Sequence, residues 1–476
     1  MQTAILVDFG STYTKVIGVD LTAARLLATA QAPSSVETDV TTGLHQALRR
    51  LGEQGVQTRD PSLVLGCSSA AGGLRMVAVG LVPSLTVEAA RRAALGAGAK
   101  VIKVYGYQLS RTEVAELKAL APDVILLAGG TDGGDRATIL ANAGSIAAAG
   151  ITAPVVVAGN KSVGPEIAEI LQGTGIDARL TENVLPELDR LNVEPARHQI
   201  RELFIERIVE AKGLERARAL VEEIIMPTPM AVLRATQLLA DGPPGGAGLG
   251  EALVVDVGGA TTDVHTVAVG APTAAGAVLK GLPEPRVKRT VEGDLGIRIN
   301  ARSVFEAGEA AGLLPGRAAA PVAAIEQPAS EEPAPVTPAA LAAAAERLAA
   351  DTAATPVSDA DFAIDAALAA IAVTVATDRH AGVLEEAWTA HGKAFVQYGK
   401  DLRPLQAVVG TGGIFAFGRH PRQVLAAATR GDPLRLKPQR PRFWVDRRYI
   451  LYGMGLLAEQ HPDVAYRVLT ENLQEV

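Results

Sequence analysis

Two short polar segments of the chain place a carboxylate, a glycine and several hydroxyl groups at the same spacing. The first reads DFGSTYTK over residues 8–15, and the second reads DVGGATTD over residues 256–263. Each lies between two apolar runs, a pattern that predicts a β-hairpin with a polar turn. The aligned positions are Asp8 with Asp256, Gly10 with Gly258, Thr14 with Thr262, and Lys15 with Asp263.

These residue types are suited to phosphate and its metal. Successive backbone N–H groups in a tight turn form a concave donor set for anions, and neighbouring hydroxyl groups add donors. Mg²⁺ is commonly held by one or two carboxylates together with phosphate oxygens, so Asp8 and Asp256 are the expected metal ligands. The two turns together predict one Mg²⁺–polyphosphate site. The residues expected to contact the phosphates are Gly10, Ser11, Thr12, Thr14, Lys15, Gly258, Gly259, Thr261 and Thr262.

The paired turns resemble the phosphate-1 and phosphate-2 loops of the actin, heat-shock chaperone and sugar kinase ATPase superfamily. A predicted strand at 405–409 is followed by a glycine-rich segment that is similar to the adenosine motif of that superfamily. This segment consists of Gly410, Thr411, Gly412 and Gly413. The resemblance implies an α/β, two-lobed actin-like fold that binds ATP and Mg²⁺ and hydrolyses ATP. Either Asp256 or Asp263 would orient the attacking water, and the sequence leaves that choice open.

More narrowly, several segments resemble the family of glutamate mutase accessory proteins (GlmL or MutL), which are reactivating ATPases for cobalamin-dependent mutases. They span most of the chain: DFGSTYTKV, CSSAAGGLRMVAVGL, LLAGGTDGG, VVVAGNK, RTVEGDLGIR and VGTGG. The resemblance implies an adenosylcobalamin-dependent mutase as the client partner and release of damaged cobalamin as the output. The open alternatives are a small-molecule kinase and an actin-like scaffold ATPase. The sequence shows no sugar or acetate signature of a kinase.

Length and composition limit the remaining possibilities. A chain of 476 residues is too long for one core, so two to four domains are expected. The net charge of −7 argues against a general nucleic-acid-binding protein. The single cysteine, Cys67, excludes an internal disulfide and is expected to be a small buried side chain. With no signal segment and no apolar stretch of about 20 residues, we expect a cytoplasmic protein that does not enter a membrane.

Strand–helix alternation divides the chain into three parts. Residues 1–60 and 185–250 are expected to form the first actin-like lobe and interlobe helices, and 251–476 the second lobe, with a Pro/Ala-rich excursion near 315–338. Residues 61–184, beginning with a strand at 63–66, predict an inserted parallel α/β module. Its GGTDGG and GNK segments follow strands, where such sheets bind ligands, although tight turns alone would also explain these glycines.

The client-docking role of the inserted module is a hypothesis at this point. Asp294, which follows Gly293, is expected to be a helix N-cap. The oligomeric state, the identity of the mutase, and any dependence of hydrolysis on the client stay open.

Overall fold

A computed structural model describes the chain except at residues 1, 11, 35–39, 69–73, 212–222, 283, 316–335, 390–391 and 433. Ser11 and most of the Pro/Ala-rich segment therefore lie outside the described residues. The chain divides into two compact units, one of Met1–Ala231 with Gly281–Pro285 and one of Val232–Lys280 with Arg286–Val476. The domain boundaries at 184 and 250 stay predictions.

The first unit combines ten described strands with helices that lie between them. Its strands are β1 (Thr3–Phe9), β2 (Tyr13–Asp20), β3 (Arg25–Pro33), β4 (Leu63–Ser68), β5 (Arg75–Val79), β6 (Lys100–Tyr105), β7 (Val124–Leu127), β8 (Val155–Val157), β9 (Ala178–Leu180) and β10 (Glu223–Pro227). Its helices are α1 (Val40–Glu53), α2 (Glu88–Gly96), α3 (Arg111–Leu120), α4 (Ala137–Ala148), α5 (Gly164–Gln172), α6 (Glu194–Ala211) and the start of α7 (Thr228–Asp241).

One sheet of this unit has the order β10-β4-β1-β2-β3. The β1–β2 hairpin and the β2–β3 pair are antiparallel, whereas β4 and β10 run parallel to β1. The expectation that 63–66 begins the inserted module is wrong, because β4 pairs with β1, with Ala4 opposite Leu63. A buried, continuously apolar strand carries no signal of which sheet it joins.

The other sheet of this unit has the order β6-β5-β7-β8-β9 and is entirely parallel. Helices α2 to α5 connect its strands in chain order. This is the strand–helix alternation that the sequence predicts for the module.

The second unit contains three kinds of element. Its described strands are β11 (Ala252–Val257), β12 (Thr262–Val267), β13 (Ala277–Lys280), β14 (Val287–Glu292), β15 (Val383–Thr389), β16 (Gly392–Tyr398), β17 (Ala407–Thr411), β18 (Arg442–Val445) and β19 (Gln474–Glu475). Its further helices are α8 (Ala301–Ala310), α9 (Pro338–Ala350), α10 (Asp359–His380), α11 (Gly413–Phe417), α12 (Pro421–Ala426), α13 (Leu451–Leu457) and α14 (Pro462–Asn472), and a 3₁₀ turn covers Ala427–Thr429.

The main sheet of the second unit repeats the first sheet of the first unit. Its order is β14-β12-β11-β17-β18-β19, with an antiparallel β11–β12 hairpin, β14 antiparallel to β12, and β17 and β18 parallel to β11. The positions of β3, β2, β1, β4 and β10 thus correspond to those of β14, β12, β11, β17 and β18. The predicted α/β fold with duplicated hairpins is confirmed. Strands β13, β16 and β15 form a separate small sheet.

Two expectations about helices need correction. Asp294 is not an N-cap, because α8 begins at Ala301 after Asn300, and Asp294 instead forms an ion pair with Arg379 at 2.8 Å. The expectation that no apolar stretch reaches about 20 residues is also wrong. Helix α10, with 22 residues and a mean hydropathy of 1.7 in its most apolar window, meets the length and composition of a membrane span. That window is 61 % buried inside this structure, as in the core helix of a soluble protein.

Candidate functional site

The first polar turn is closed by its own backbone. Asp8 and Lys15 lie opposite each other in the β1–β2 ladder, and Gly10 N–H donates to the carbonyl oxygen of Tyr13 at 3.1 Å. A Cβ atom at Gly10 would lie 2.5 Å from that same oxygen, so this position requires glycine. Ser34, directly after β3, supports the turn by donating its hydroxyl hydrogen to the Gly10 carbonyl at 2.7 Å.

Both carboxylate oxygens of Asp8 accept hydrogen bonds. Lys15 Nζ donates to Oδ2 at 2.8 Å, and Thr228 Oγ1 donates to Oδ1 at 2.6 Å. Asp8 is 1 % exposed, so these contacts fix its orientation within the described fold. Thr228 begins α7 directly after β10, and parallel β1, β4 and β10 bring their carboxyl ends to one edge.

Thr228 is a residue that sequence reasoning misses. The Thr–Pro pair at 228–229 is a helix-start signal, which indicates where α7 begins but not which strand end it meets. Its contact with Asp8 depends on strand pairing across 220 positions.

Cys67 lies against the same carboxylate. Its Sγ is 3.7 Å from Asp8 Oδ1 and 3.5 Å from Thr228 Oγ1. Complete burial, and secondarily the charge of Asp8, raise the pKa of the Cys67 thiol well above its usual value. The side chain is therefore buried, as the sequence predicts, and its raised pKa keeps it a thiol rather than a nucleophilic thiolate.

The two threonines of the first turn differ in exposure. Thr12 is exposed, and its carbonyl oxygen accepts the Ser34 N–H at 2.8 Å. Thr14 is fully buried, and its hydroxyl oxygen lies 3.4 Å from that of Ser34. Thr12 is thus the threonine of this turn whose side chain is accessible to a ligand.

The second turn has the same closure as the first. Gly258 N–H donates to the carbonyl oxygen of Thr261 at 2.9 Å, in the aligned position of the Gly10–Tyr13 bond. The segment before α8 supports it, because Ile297 N–H donates to the Gly258 carbonyl at 3.1 Å and Arg298 N–H to the Gly259 carbonyl at 2.9 Å. The RTVEGDLGIR segment therefore supports the second turn through its backbone, and this role does not require Asp294 to be an N-cap.

Three residues of the second turn with predicted roles make contacts within the fold: the phosphate-binding candidates Thr261 and Thr262, and Asp263, a candidate for orienting the attacking water. Arg289 Nε donates to Asp263 Oδ1 at 2.7 Å, and Thr261 Oγ1 donates to Asp263 Oδ2 at 3.2 Å. The side chain of Arg289 is only 3 % exposed, so the charge of Asp263 is compensated in a buried ion pair. Thr262, fully buried, donates its hydroxyl hydrogen to the carbonyl oxygen of Leu295 at 2.7 Å.

The glycine-rich segment of residues 410–413, which begins within the last two residues of β17, lies beside Asp256. Asp256 is opposite Thr411 in the parallel β11–β17 ladder. Gly412 has a φ of +99°, and a Cβ atom there would lie 2.8 Å from Asp256 Oδ1. At Gly410 a Cβ atom would lie 2.6 Å from the Phe415 ring, whereas at Gly413 it would meet no atom within 4 Å. Packing thus explains two of these glycines, and Gly413 borders open space.

Asp446 anchors this segment and is a second residue that sequence reasoning misses. It accepts the Thr411 hydroxyl at 3.0 Å and the backbone N–H groups of Ile450 and Leu451 at 2.9 Å each. Burial raises the pKa of Asp446, while these hydrogen bonds act in the opposite direction. It lies five residues before the first residue of α13, and its contact with β17 cannot be predicted from the sequence.

The donor chemistry of the two turns fits magnesium. No group of three or more His, Cys, Asp or Glu side chains that could hold a metal occurs among the described residues. Mg²⁺ keeps several waters and typically takes one or two carboxylates together with substrate phosphates, rather than a cage of protein ligands. Asp8 in the first turn and Asp256 in the second are carboxylates of that kind.

Comparison with models of known protein families shows to which family this chain belongs. The family model described as MutL protein matches residues 4–473. The chain belongs to the MutL protein family. A family member, "Protein MutL" of Clostridium tetanomorphum, is 44 % identical over 480 residues and is covered completely, as is this chain. These matches confirm the family resemblance drawn from the sequence segments.

The solved structures that match this MutL family member share little sequence identity with it and have low TM-scores. An acetone carboxylase in its nucleotide-free form has a TM-score of 0.38 at 12 % identity, over 96 % of this chain and 70 % of that chain. The activator of the 2-hydroxyisocaproyl-CoA dehydratase from Clostridium difficile, with bound ADPNP, has a TM-score of 0.29 at 11 % identity, over 99 % and 98 %. The xylulose kinase from Bifidobacterium adolescentis has a TM-score of 0.32 at 12 % identity, over 100 % and 94 %.

Proposed function

We propose that this MutL family member is an ATP-binding and ATP-hydrolysing reactivating factor for an adenosylcobalamin-dependent mutase of the glutamate mutase type. Its ATPase cycle would drive the release of damaged cobalamin. The observation that supports nucleotide binding is the duplicated sheet, in which both hairpin turns have a carboxylate at the same register position and the same Gly N–H closure. Family membership supports the mutase client, and a cytoplasmic location belongs to the same proposal.

In the first turn, Lys15 and the backbone N–H groups bind phosphate oxygens. Lys15 Nζ is now 2.8 Å from Asp8 Oδ2, so phosphate binding would draw the ammonium group away from this carboxylate. Asp8 would then face the metal while Thr228 continues to hold its other oxygen. Thr12, whose side chain is exposed, supplies a further hydroxyl donor.

In the second turn we assign the metal-binding and water-orienting carboxylate to Asp256 rather than to Asp263. The ion pair with Arg289 compensates the charge of Asp263 and lowers its value as a base or metal ligand. Asp256 instead lies beside Gly412 and the open space at Gly413, where the adenosine motif would receive the nucleoside. When bound, Mg²⁺ would neutralise charge on the transferred phosphoryl group.

An ATP hydrolysis assay tests the site assignment. Asp8→Asn and Asp256→Asn should each lower the hydrolysis rate by at least about 100-fold, because preorganised charge is the main catalytic contribution in phosphoryl transfer. Glu53→Gln, at a surface carboxylate that is 66 % exposed, is the control and should leave the rate unchanged. Full activity in either aspartate variant would refute the assignment.

Co-purification tests the client assignment. Cobalamin enzymes captured with and without ATP would be identified by mass spectrometry, and a mutase inactivated by damaged cofactor should regain activity with this protein, ATP and adenosylcobalamin. We propose the parallel module as the docking surface for the client. A phosphorylated metabolite as product would instead indicate a kinase, and nucleotide-dependent sedimentation a scaffold ATPase.

A further inference from the structure

The parallel sheet of the first unit carries a cavity at the edge where such sheets bind ligands. Numbered within the module, its strands have the order 2-1-3-4-5, an open α/β arrangement whose ligands lie beyond the carboxyl ends of the strands. A cavity of about 430 Å³ lies at this edge. Its lining comes from the loops after β7, β8 and β9 and includes Asp132, Lys161, Thr181, Glu182, Asn183 and Arg190.

The loops around this cavity are held in place by two buried asparagines. Asn183 is 2 % exposed, donates to the Gly130 carbonyl and to Asp132 Oδ1 at 3.0 Å each, and accepts the Leu185 N–H. Asn160 is 1 % exposed and accepts the Gly133 N–H at 3.1 Å. The GGTDGG loop of residues 129–134 is therefore fixed before any ligand binds, which lowers the entropy cost of binding.

The charges that line the cavity are balanced. Burial would raise the pKa of Asp132, but hydrogen bonds from Asn183 and Lys161 outweigh this effect and lower it, so the carboxylate is ionised near neutrality. Glu182 and Arg190 add one charge of each sign. With two carboxylates and two cations the lining has no net positive charge to attract a polyanion, and an apolar ligand would leave charged groups without compensation. The lining therefore suits a neutral ligand with both donors and acceptors.

A donor and an acceptor lie side by side in the lining, since Lys161 Nζ is 3.3 Å from Asp132 Oδ2. A primary carboxamide carries a complementary acceptor oxygen and donor nitrogen on one carbon. We propose that this cavity binds carboxamide groups, and that the ligand is a corrinoid, whose ring periphery carries several carboxamide arms. This inference rests on the proposed function, which makes damaged cobalamin the released product. A volume of about 430 Å³ accommodates arms of the ligand rather than the whole macrocycle.

Equilibrium dialysis of the full-length protein against cyanocobalamin, read by visible absorbance, tests this proposal. We expect saturable binding of one corrinoid per chain without ATP. Lys161→Met should weaken it by about tenfold or more, because it removes a charged hydrogen-bond donor. The fold should persist, since the Lys161 side chain is 76 % exposed and its backbone N–H still binds Asp132. Lys118→Met, in the last turn of α3 and outside the cavity lining, is the matched control and should bind normally.

Two further corrinoids test the chemical class. Dicyanocobinamide keeps the carboxamides and lacks the nucleotide loop, so it should bind. Cobyrinic acid heptamethyl ester has no carboxamide N–H groups and should not bind. Equal binding of the ester, no effect of Lys161→Met, or no saturable binding would overturn the proposal. If ATP hydrolysis and mutase reactivation persist in that case, only this inference fails; if they are also absent, the proposed function fails with it.

Discussion

Thr228 donates its hydroxyl hydrogen to Asp8 Oδ1 at 2.6 Å, although 220 positions separate the two residues. The contact exists because β10 lies beside β4 and β4 beside β1, which brings three parallel strand ends to one edge. Lys15 holds the other carboxylate oxygen. Asp8 is therefore oriented by residues from two distant parts of the chain before any ligand is present.

The Thr228 contact predicts a specific catalytic defect. Thr228→Val should lower kcat/KM for ATP by about 10- to 100-fold, because a hydrogen bond to a charged group contributes about 1.5–3 kcal/mol. Thr228→Ser keeps the hydroxyl and should retain most of the activity. Steady-state hydrolysis assays on both variants compare them directly. Equal activity of the valine and serine variants would mean that this contact does not support the site.

Two neighbouring glycines should respond differently to alanine. Gly412→Ala places a Cβ atom 2.5 Å from the Val257 carbonyl oxygen at a φ of +99°, so we expect a loss of unfolding free energy of about 1–3 kcal/mol. Gly413→Ala meets no atom within 4 Å and should leave stability unchanged while weakening nucleotide binding. Chemical denaturation and nucleotide titration of both variants provide the test. Unchanged nucleotide affinity in Gly413→Ala would argue against adenosine contact there.

Two buried histidines predict an acid-sensitive fold. Burial lowers the pKa of His265 and of His380 well below the usual value, with a further lowering of His265 by Arg289. Neither ring nitrogen of His265 has a hydrogen-bond partner within the described structure. Below about pH 6.5 the unfolded chain binds more protons than the folded chain, so the free energy of unfolding should fall by up to about 1.4 kcal/mol per pH unit for each histidine.

Denaturation curves between about pH 7.5 and about pH 5.5 measure this dependence. His265→Phe removes one of the two groups and should give a shallower slope than the wild-type protein. An identical slope in the variant would show that His265 does not titrate on unfolding.

The environment of Cys67 predicts an unreactive thiol. It is completely buried and its pKa is raised by burial, so little thiolate forms near neutral pH. A colorimetric disulfide reagent should react with it slowly in the folded protein and rapidly in denaturant. Fast labelling of the native protein would show that this edge of the sheet opens readily.

The sequence predicts what depends on local pattern. The polar turns at Asp8 and Asp256 lie between apolar runs, and the structure forms both hairpins with Asp8 opposite Lys15 and Asp256 opposite Asp263. It does not predict contacts set by non-local pairing, such as Thr228 with Asp8. The misplacement of 63–66 has the same cause, since a buried apolar strand does not specify its neighbour.

The sequence also does not predict which polar side chains of a turn are already engaged in contacts within the fold. The sequence offers both Asp256 and Asp263 as carboxylates of the second turn, but it does not show that Arg289 from β14 forms a buried ion pair with Asp263. Thr262 aligns with Thr14 as a phosphate donor, yet its hydroxyl hydrogen binds the Leu295 carbonyl. Which polar groups stay accessible is decided by elements that pack on the turn from elsewhere in the chain.

Calorimetric titration with Mg²⁺ and a non-hydrolysable ATP analogue tests most directly whether both turns serve one nucleotide. We predict one nucleotide per chain, at least about tenfold weaker binding in Asp8→Asn and in Asp256→Asn, and little further loss in the double variant, because the two residues share one ligand. Two nucleotides per chain, or an unchanged affinity in either single variant, would contradict the account.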